Sequence, residues 1–386
     1  MTSDNALSRR LFLAAAAAGA ASATGAAGSA SAAANAAAPA AKGAVSVPAN
    51  GRSYARVPLR RDSVVVSAVQ SRIRSVDGQS PAKGIRENLA HMIDLIDKTQ
   101  FYGGRKDLLC FHEFPLQGWN PWDRAELERL SIDLPGEQTE ALGAKAKEYG
   151  CYIQFGAYAR DRDWPGHVLS VTSIIGPDGK LVARDWKARN IVGVFPDFEL
   201  VTTTVYNVLD RFVEMYGVDA LVPVHRTDIG NLATSSTQLE PEIFRVMALK
   251  GAEILLRTAS GGFEPEDIQM VSRYNRVFSV IVNNAVSPDN PHFMDDANGR
   301  SGGTAIYGPR GDALASAGSK FEQDVIARLP LAQYRATHSI PDLHYALYAD
   351  AFAAYQPRQA PGLFSKYLPK DLKDAKRFLD AEDRWR

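Results

Sequence analysis

Cysteine and histidine are scarce in this chain, and their scarcity excludes several kinds of site. The 386 residues include two cysteines and seven histidines. Two cysteines cannot build a disulfide scaffold or a cysteine-rich metal centre. Cys110 and Cys151 each lie in an apolar, strand-like run, so we expect both thiols to be buried and inert. The histidines lack the spacing of metal ligands, and the sequence therefore predicts no metal and no cofactor.

An excess of charge of either sign is also absent. Lysine plus arginine and aspartate plus glutamate both number 44, so the formal net charge is zero. Without a basic surplus, we expect no broad surface for nucleic acid or for an anionic membrane. Two glycine-rich segments, 103–107 and 299–303, are too short and wrongly placed to bind phosphate. The remaining composition, 45% hydrophobic, is that of an ordinary globular protein.

The N-terminus lacks a long, strongly apolar run. Arg9 and Arg10 precede a stretch made mostly of alanine and broken by glycine and serine, which is too weakly apolar for a permanent membrane anchor. An arginine pair before such a stretch resembles a twin-arginine export signal. We therefore predict that residues 1–58 are an export signal and a disordered alanine-rich linker, and that the protein is periplasmic or extracellular. A disordered alanine-rich tail is the alternative.

The rest of the chain alternates apolar strands with amphipathic helices. Alternation with interspersed hairpins predicts mixed sheets covered by helices, an α/β sandwich, within one domain at 59–340. The predicted strands include 63–69, 107–111 and 151–158, and the predicted helices include 84–98, 137–149 and 265–277. The aromatic residues of 341–386 follow no regular period. We expect this C-terminal arm to pack on a partner subunit of a homodimer or larger homo-oligomer.

Three places carry residues suited to catalysis. Glu113 follows an apolar strand, where partial desolvation suits a general base. Lys187 also ends an apolar strand, and its ammonium can stabilise an oxyanion. In 229–242, an apolar run ends in four hydroxyl residues before a helix that starts at Pro241, a geometry that presents a nucleophile beside backbone N–H groups. Each signal is weak alone, because such residues are commonly solvated charges or helix caps.

Taken together, these segments resemble the nitrilase superfamily of carbon–nitrogen hydrolases over roughly 60–335. The matching pieces are "FHEFPLQGW", "GPDGKLVARDWK", "IGNLATSSTQLEPEIFRVMALKGAEILLRTAS" and "SGGTAIYGPRGDAL". The resemblance implies a four-layer αββα sandwich that often pairs into a dimer. It also implies a Glu–Lys–Cys site that hydrolyses amides, nitriles or carbamoyl groups through a thioester.

The position of the family's cysteine is held by serine in this chain. Counting back from Glu242 places the nucleophile at Ser235, followed by Ser236 and Thr237 where the family has an aromatic and an acidic residue. A hydroxyl needs a base during attack, whereas a thiol is partly ionised near neutral pH. We therefore predict that Glu113 activates Ser235 toward a small amide or ester, while Lys187 and the Ser236 N–H hold the oxyanion.

Other interpretations stay open at this point. The protein could instead catalyse a non-hydrolytic reaction, or be a binding protein that lost its nucleophile. A Ser–His–Asp hydrolase is disfavoured, because Ala233 and Thr237 occupy the glycine positions of a nucleophile elbow, and strand alternation turns His112 away from Glu113.

Two further charged residues are weaker candidates for the site. The family often has a second glutamate after the lysine, which predicts Glu199, with Asp197 as the alternative. Arg257 lies at the end of the strand after the nucleophile segment and either meets a polar substrate group or forms a structural salt bridge.

Overall fold

The computed structural model describes residues 45–47, 51–294 and 301–386. The Arg9–Arg10 pair of the predicted export signal lies outside these ranges. In the described part of the chain, no helix is both long enough and apolar enough to span a membrane. Numbered in chain order, the strands are β1 (Val64–Gln70), β2 (Leu108–Cys110), β3 (Tyr152–Ala159), β4 (Leu169–Ile175), β5 (Leu181–Trp186), β6 (His225–Thr227), β7 (Gly230–Ser235), β8 (Ile254–Thr258), β9 (Phe278–Val282), β10 (Ala305–Tyr307), β11 (Ala313–Ser316) and β12 (Gln323–Leu329).

These strands form two six-stranded mixed sheets. The first has the order β12-β1-β2-β3-β4-β5, and the second has the order β11-β10-β9-β8-β7-β6. In the first sheet β1, β2 and β3 run parallel, and in the second β7, β8 and β9 do. The other pairings are antiparallel. Because parallel strands end at the same edge, side chains after β2 are brought to the edge of the first sheet and those after β7 and β8 to the edge of the second.

The described part of the chain also contains helices, and several of them cover the outer faces of the two sheets. In chain order they are α1 (Pro81–Phe101), α2 (Arg124–Leu130), α3 (Glu137–Tyr149), α4 (Leu209–Tyr216), α5 (Pro241–Leu249), α6 (Pro265–Asn275), α7 (Leu331–Thr337), α8 (Ala349–Ala354) and α9 (Leu372–Ala381). The helix predicted at 137–149 has those bounds, and its C-cap Gly150 adopts a left-handed conformation (φ 56°) that lets the chain turn into β3.

Three apolar layers hold the elements together. Side chains from both sheets, including Leu108 and Leu256, form the core between the sheets. Met92 of α1 and Leu142 of α3 belong to the core outside the first sheet, and Phe244 of α5 and Val271 of α6 belong to the core outside the second. The predicted αββα sandwich is therefore confirmed.

Both cysteines are buried and free, as expected. Burial raises the pKa of the Cys151 thiol to about 11 and also raises the pKa of the Cys110 thiol. Both thiols therefore stay protonated at neutral pH, which is unfavourable for a nucleophile.

Some elements differ from expectation. The stretch after Lys187, which shows no clear period in sequence, contains the amphipathic helix α4. The C-terminal region, also expected to be irregular, ends in α9, which buries Ala375 and Leu379 against the same chain. Strand β12 was not predicted, although Val325, Ala327 and Leu329 alternate with exposed residues and gave a period-two signal.

Candidate active site

Glu113 and Lys187 meet as a buried ion pair. Glu113 follows β2 and Lys187 directly follows β5, and Lys187 Nζ donates to Glu113 Oε1 at 2.9 Å. Both residues are 7% exposed. A buried charge is tolerated when it is paired and hydrogen-bonded, so each residue makes the position of the other possible. The first sheet thereby brings together two of the residues predicted from the sequence.

A third residue completes the hydrogen bonding of this carboxylate. Ser260, in the loop after β8, donates its hydroxyl to Glu113 Oε2 at 2.7 Å. Ser260 was not predicted as a site residue, because a serine in a Thr-Ala-Ser-Gly-Gly loop has no distinctive pattern. Lys187 and Ser260 thus hold one carboxylate oxygen each, from opposite sheets of the sandwich.

Glycine at position 156 permits the close packing around Glu113. Gly156, on β3, donates its N–H to the carbonyl of His112 at 3.1 Å. A Cβ at this position would stand 2.1 Å from the carbonyl oxygen of Glu113. His112 itself lies against other groups, since its Nδ1 accepts the Phe114 N–H at 3.2 Å. Burial lowers the pKa of His112 to about 4, so its ring is neutral at physiological pH.

Ser235 is the last residue of β7 and is partly exposed. Its Oγ accepts the Thr237 N–H at 3.0 Å. Within the described ranges, no hydrogen bond joins Ser235 to Glu113 or Lys187, and the Ser235 O–H has no acceptor. The structure therefore places the hydroxyl at the strand end without a direct bond to the pair.

Hydrogen bonds made by residues near Ser235 link its strand end to the segments that carry Lys187 and Glu113. Its neighbour Thr234 donates to Asp185 Oδ2 at 2.7 Å, and Asp185 lies two residues before Lys187 on β5. On the next strand, the Ala259 carbonyl accepts the Glu113 N–H at 3.3 Å. The ends of β7 and β8 are therefore attached to the two strand ends that carry the lysine and the glutamate.

Asp185 also binds a histidine that the sequence analysis did not single out. His225 Nε2 lies 2.9 Å from Asp185 Oδ1 and 3.0 Å from Oδ2. Burial opposes protonation of the ring, but the Asp185 carboxylate outweighs it, so the pKa of His225 is raised. This Asp–His–Thr cluster joins β5 of one sheet to β6 and β7 of the other, beside the candidate site.

Two further residues predicted for the site are neighbours of Ser235: Ser236 follows it directly, and Arg257 lies on the adjacent strand β8. Ser236 is 8% exposed. Arg257 is paired in register with Ser235 and is almost fully buried. Its Nη2 donates to the Thr237 carbonyl at 2.5 Å and to Asp267 Oδ2 at 3.0 Å, and its guanidinium lies over the Phe244 ring. These contacts hold the segment after Ser235 in place. The contact with Asp267 is a structural salt bridge, the second of the two roles considered for Arg257 from the sequence.

Glu199, the second glutamate predicted for the site, binds backbone groups of the loop after β5 and of the C-terminal segment. It accepts the Gly193 N–H at 2.6 Å, and its own N–H donates to the Leu372 carbonyl. Burial raises the pKa of Glu199. It has no hydrogen bond to Glu113 or Lys187, and the alternative, Asp197, is exposed. The contacts of Glu199 tie the loop after β5 to the C-terminal segment.

The described residues contain no group of three or more His, Cys, Asp or Glu side chains arranged to hold a metal ion. Cavities of about 510 and 230 Å³ lie elsewhere on the molecule and are not lined by Glu113, Lys187 or Ser235. The arrangement available for chemistry is thus a buried Lys–Glu pair beside a strand-end hydroxyl, which is suited to proton transfer and oxyanion stabilisation.

Comparison with known proteins identifies the family. The model of the family described as carbon-nitrogen hydrolase matches residues 66–339. The chain belongs to the carbon–nitrogen hydrolase family. Membership confirms the resemblance seen in the sequence, and the matched range contains Glu113, Lys187 and Ser235.

Solved structures agree with this carbon–nitrogen hydrolase fold. A double mutant of the amidase from Nesterenkonia sp. AN1, in complex with acrylamide, is 16% identical with a TM-score of 0.53, covering 77% of this chain and all (100%) of that one. A single mutant of that amidase, described as from the nitrilase superfamily, covers 76% and 99% at 16% identity and a TM-score of 0.53. A carbon-nitrogen hydrolase from Helicobacter pylori G27 is 17% identical with a TM-score of 0.55, covering 71% and 91%. At these identities the likeness concerns the fold.

Proposed function

We propose that this carbon–nitrogen hydrolase family member hydrolyses a small amide at a site made by Glu113, Lys187 and Ser235. The observation that carries the proposal is the buried Lys187–Glu113 ion pair at 2.9 Å, formed at strand ends next to the end of β7. Removing two charges from water costs free energy, and a buried acid–base pair at strand ends supplies the groups that a catalytic site needs. Similarity to an amidase and to a carbon-nitrogen hydrolase supports the choice of substrate class.

The roles follow from which groups can donate and accept protons. The Ser235 oxygen attacks the amide carbon while its proton passes to Glu113, and the carbonyl oxygen becomes an oxyanion held by Lys187 and the Ser236 N–H. Collapse breaks the C–N bond, and Glu113 returns the proton to the departing amine. Water then attacks the acyl-serine ester with Glu113 again as base, which releases the acid and regenerates Ser235.

Kinetics on three variants test these roles with a panel of short aliphatic and aromatic amides and the matching esters. Glu113→Gln keeps the shape but removes the base, so turnover should fall about a hundredfold or more. Ser235→Ala should abolish the acyl-enzyme that mass spectrometry detects on the wild type. Ser235→Cys should keep or raise activity if the pocket still suits a thiol. Full activity in Ser235→Ala would refute the nucleophile assignment and point to Thr234 or a directly activated water.

A non-catalytic binding protein is the second candidate, and the replacement of the family cysteine by Ser235 favours it. It predicts that no acyl adduct forms on any member of the panel. It also predicts saturable binding of an amide, measured by calorimetry, that survives Glu113→Gln. An adduct on Ser235 would exclude this candidate.

We also propose that the protein is exported by the twin-arginine route. The proposal rests on Arg9 and Arg10 ahead of the alanine-rich stretch. The test is to replace both with lysine and to fractionate cells of a bacterium with that pathway. The variant should accumulate inside the cell, and unchanged export would refute the proposal.

A homodimer or larger homo-oligomer is the proposed assembly, with part of the C-terminal arm on the partner. Leu363 and Phe364 are buried in their own chain, so they are not part of the proposed interface. That interface is limited to the segment 344–355. There Leu347, Phe352 and Tyr355 are 84%, 48% and 61% exposed, more apolar surface than a monomer usually presents in one segment. Replacing these three with serine should lower the sedimenting mass, and an unchanged mass would count against this interface.

A further inference from the structure

We propose that Ser260 is a positioning residue for Glu113, and this inference rests on the proposed function. The Ser260 hydroxyl donates to Oε2 at 2.7 Å while Lys187 donates to Oε1 at 2.9 Å. With one donor on each oxygen, the carboxylate plane cannot rotate freely. The lone pair that receives the nucleophile's proton is therefore presented in one orientation, which proton transfer requires.

Ser260 is itself held firmly enough for this role. The residue before it, Ala259, donates its N–H to the Val282 carbonyl at 2.9 Å, and its carbonyl accepts the Glu113 N–H at 3.3 Å. The residue after it, Gly261, donates its N–H to Asn283 Oδ1 at 3.1 Å and has a φ of 127°, which glycine adopts without strain. The backbone that carries the hydroxyl is thus held by hydrogen bonds on both sides.

The electrostatic role of Ser260 differs from that of Lys187. Lys187 brings a charge from the first sheet, whereas Ser260 brings a neutral donor from the second sheet. The hydrogen bond from Ser260 to Glu113 also joins the two sheets at the proposed general base. Tyr158, on β3, also interacts electrostatically with the carboxylate, and burial together with Glu113 raises its pKa well above the usual value. Loss of the hydroxyl would leave Oε2 without its donor, so the carboxylate would be free to turn about its remaining hydrogen bond to Lys187.

The kinetic test compares Ser260→Ala with Ser260→Thr, which keeps the hydroxyl. For an amide that the wild type hydrolyses, Ser260→Ala should lower kcat on the order of tenfold with little change in KM, as expected for loss of a hydrogen bond to a charged group. Ser260→Thr should restore kcat. Ser272→Ala is the matched control, because Ser272 is buried on α6 without a hydrogen bond for its hydroxyl. An unchanged kcat in Ser260→Ala would overturn the proposal, as would an acyl group on Ser260.

A second readout does not need turnover. Infrared difference spectra during a pH titration should contain a carboxylate band that disappears in Glu113→Gln. That band should shift in frequency in Ser260→Ala, but not in Ser260→Thr or Ser272→Ala. An unshifted band would overturn the proposal. If no amide is hydrolysed but the band responds as described, the proposed hydrolase function fails while the positioning of Glu113 by Ser260 stands.

Discussion

Breaking the Lys187–Glu113 pair should cost far more stability than breaking a surface pair. Their side chains are 6% and 9% exposed, and the two charged atoms lie 2.9 Å apart. Replacing Lys187 with methionine keeps most of the apolar stem but leaves the Glu113 carboxylate buried with only the Ser260 hydroxyl as partner. An uncompensated buried charge of this kind costs about 3–5 kcal/mol in free energy of unfolding.

The size of the effect can be separated from simple loss of packing by a double-mutant cycle. In the variant with both Lys187→Met and Glu113→Gln, no charge remains to be desolvated. Its loss of stability should therefore be smaller than the sum of the two single losses, by about 2 kcal/mol or more. Urea unfolding followed by fluorescence measures all four proteins.

An exposed pair of the same chain supplies the control. Arg160 Nε lies 2.7 Å from Asp133 Oδ1, with side chains 53% and 62% exposed. Solvent screens this pair, so a cycle on Arg160→Met and Asp133→Asn should give a coupling of about 1 kcal/mol or less. If the Lys187–Glu113 cycle is additive, or its coupling is no larger than that of the exposed pair, the assignment of a buried, mutually dependent pair is wrong.

Three further variants test the surroundings of the site. Gly156→Ala should lower both turnover and melting temperature, because its Cβ would stand 2.1 Å from the Glu113 carbonyl oxygen, and a wild-type rate would refute this. Burial lowers the pKa of His112 to about 4, so its contribution to stability, about 3 kcal/mol, is present above pH 6.5 and lost as pH falls toward 4. His112→Gln should remove that acid sensitivity in urea titrations. The pKa of His225 is raised, so its contribution is present below pH 6.5 and lost as pH rises through the folded-state pKa. In His225→Gln, the loss of stability with rising pH should disappear. If both variants changed the pH dependence of stability in the same direction, the opposite pKa shifts assigned to His112 and His225 would be wrong.

Much of the fold was predictable because local patterns were consistent with it. The period of apolar residues predicted α3 and α6, and Gly150 marked where α3 ends. Strands β1, β2 and β3 were also predicted, since buried parallel strands are continuous apolar runs. These signals depend on neighbours within a few residues of one another and survive without knowledge of the rest of the chain.

Elements whose stability comes from distant partners were missed. Strand β12 pairs with β1 across more than 200 residues, from Val64–Leu329 to Gln70–Gln323, and its own sequence is half polar. Helix α9 owes its place to the burial of Ala375 and Leu379 against other parts of the chain. Propensity alone does not decide such segments, because tertiary packing supplies most of their stabilisation.

The sequence by itself determined the family, the sandwich and the identity of the residues at three strand ends, because these are properties of local pattern and spacing. Only the tertiary structure decided which side chains meet. Lys187 and Glu113 are 74 residues apart, and Ser260 is 147 residues from Glu113, yet Lys187 and Ser260 both donate to the Glu113 carboxylate. It also decided that Glu199 and Arg257 bind other parts of the chain, since the direction of a buried side chain depends on the partners that offset its desolvation, and those partners come from distant strands.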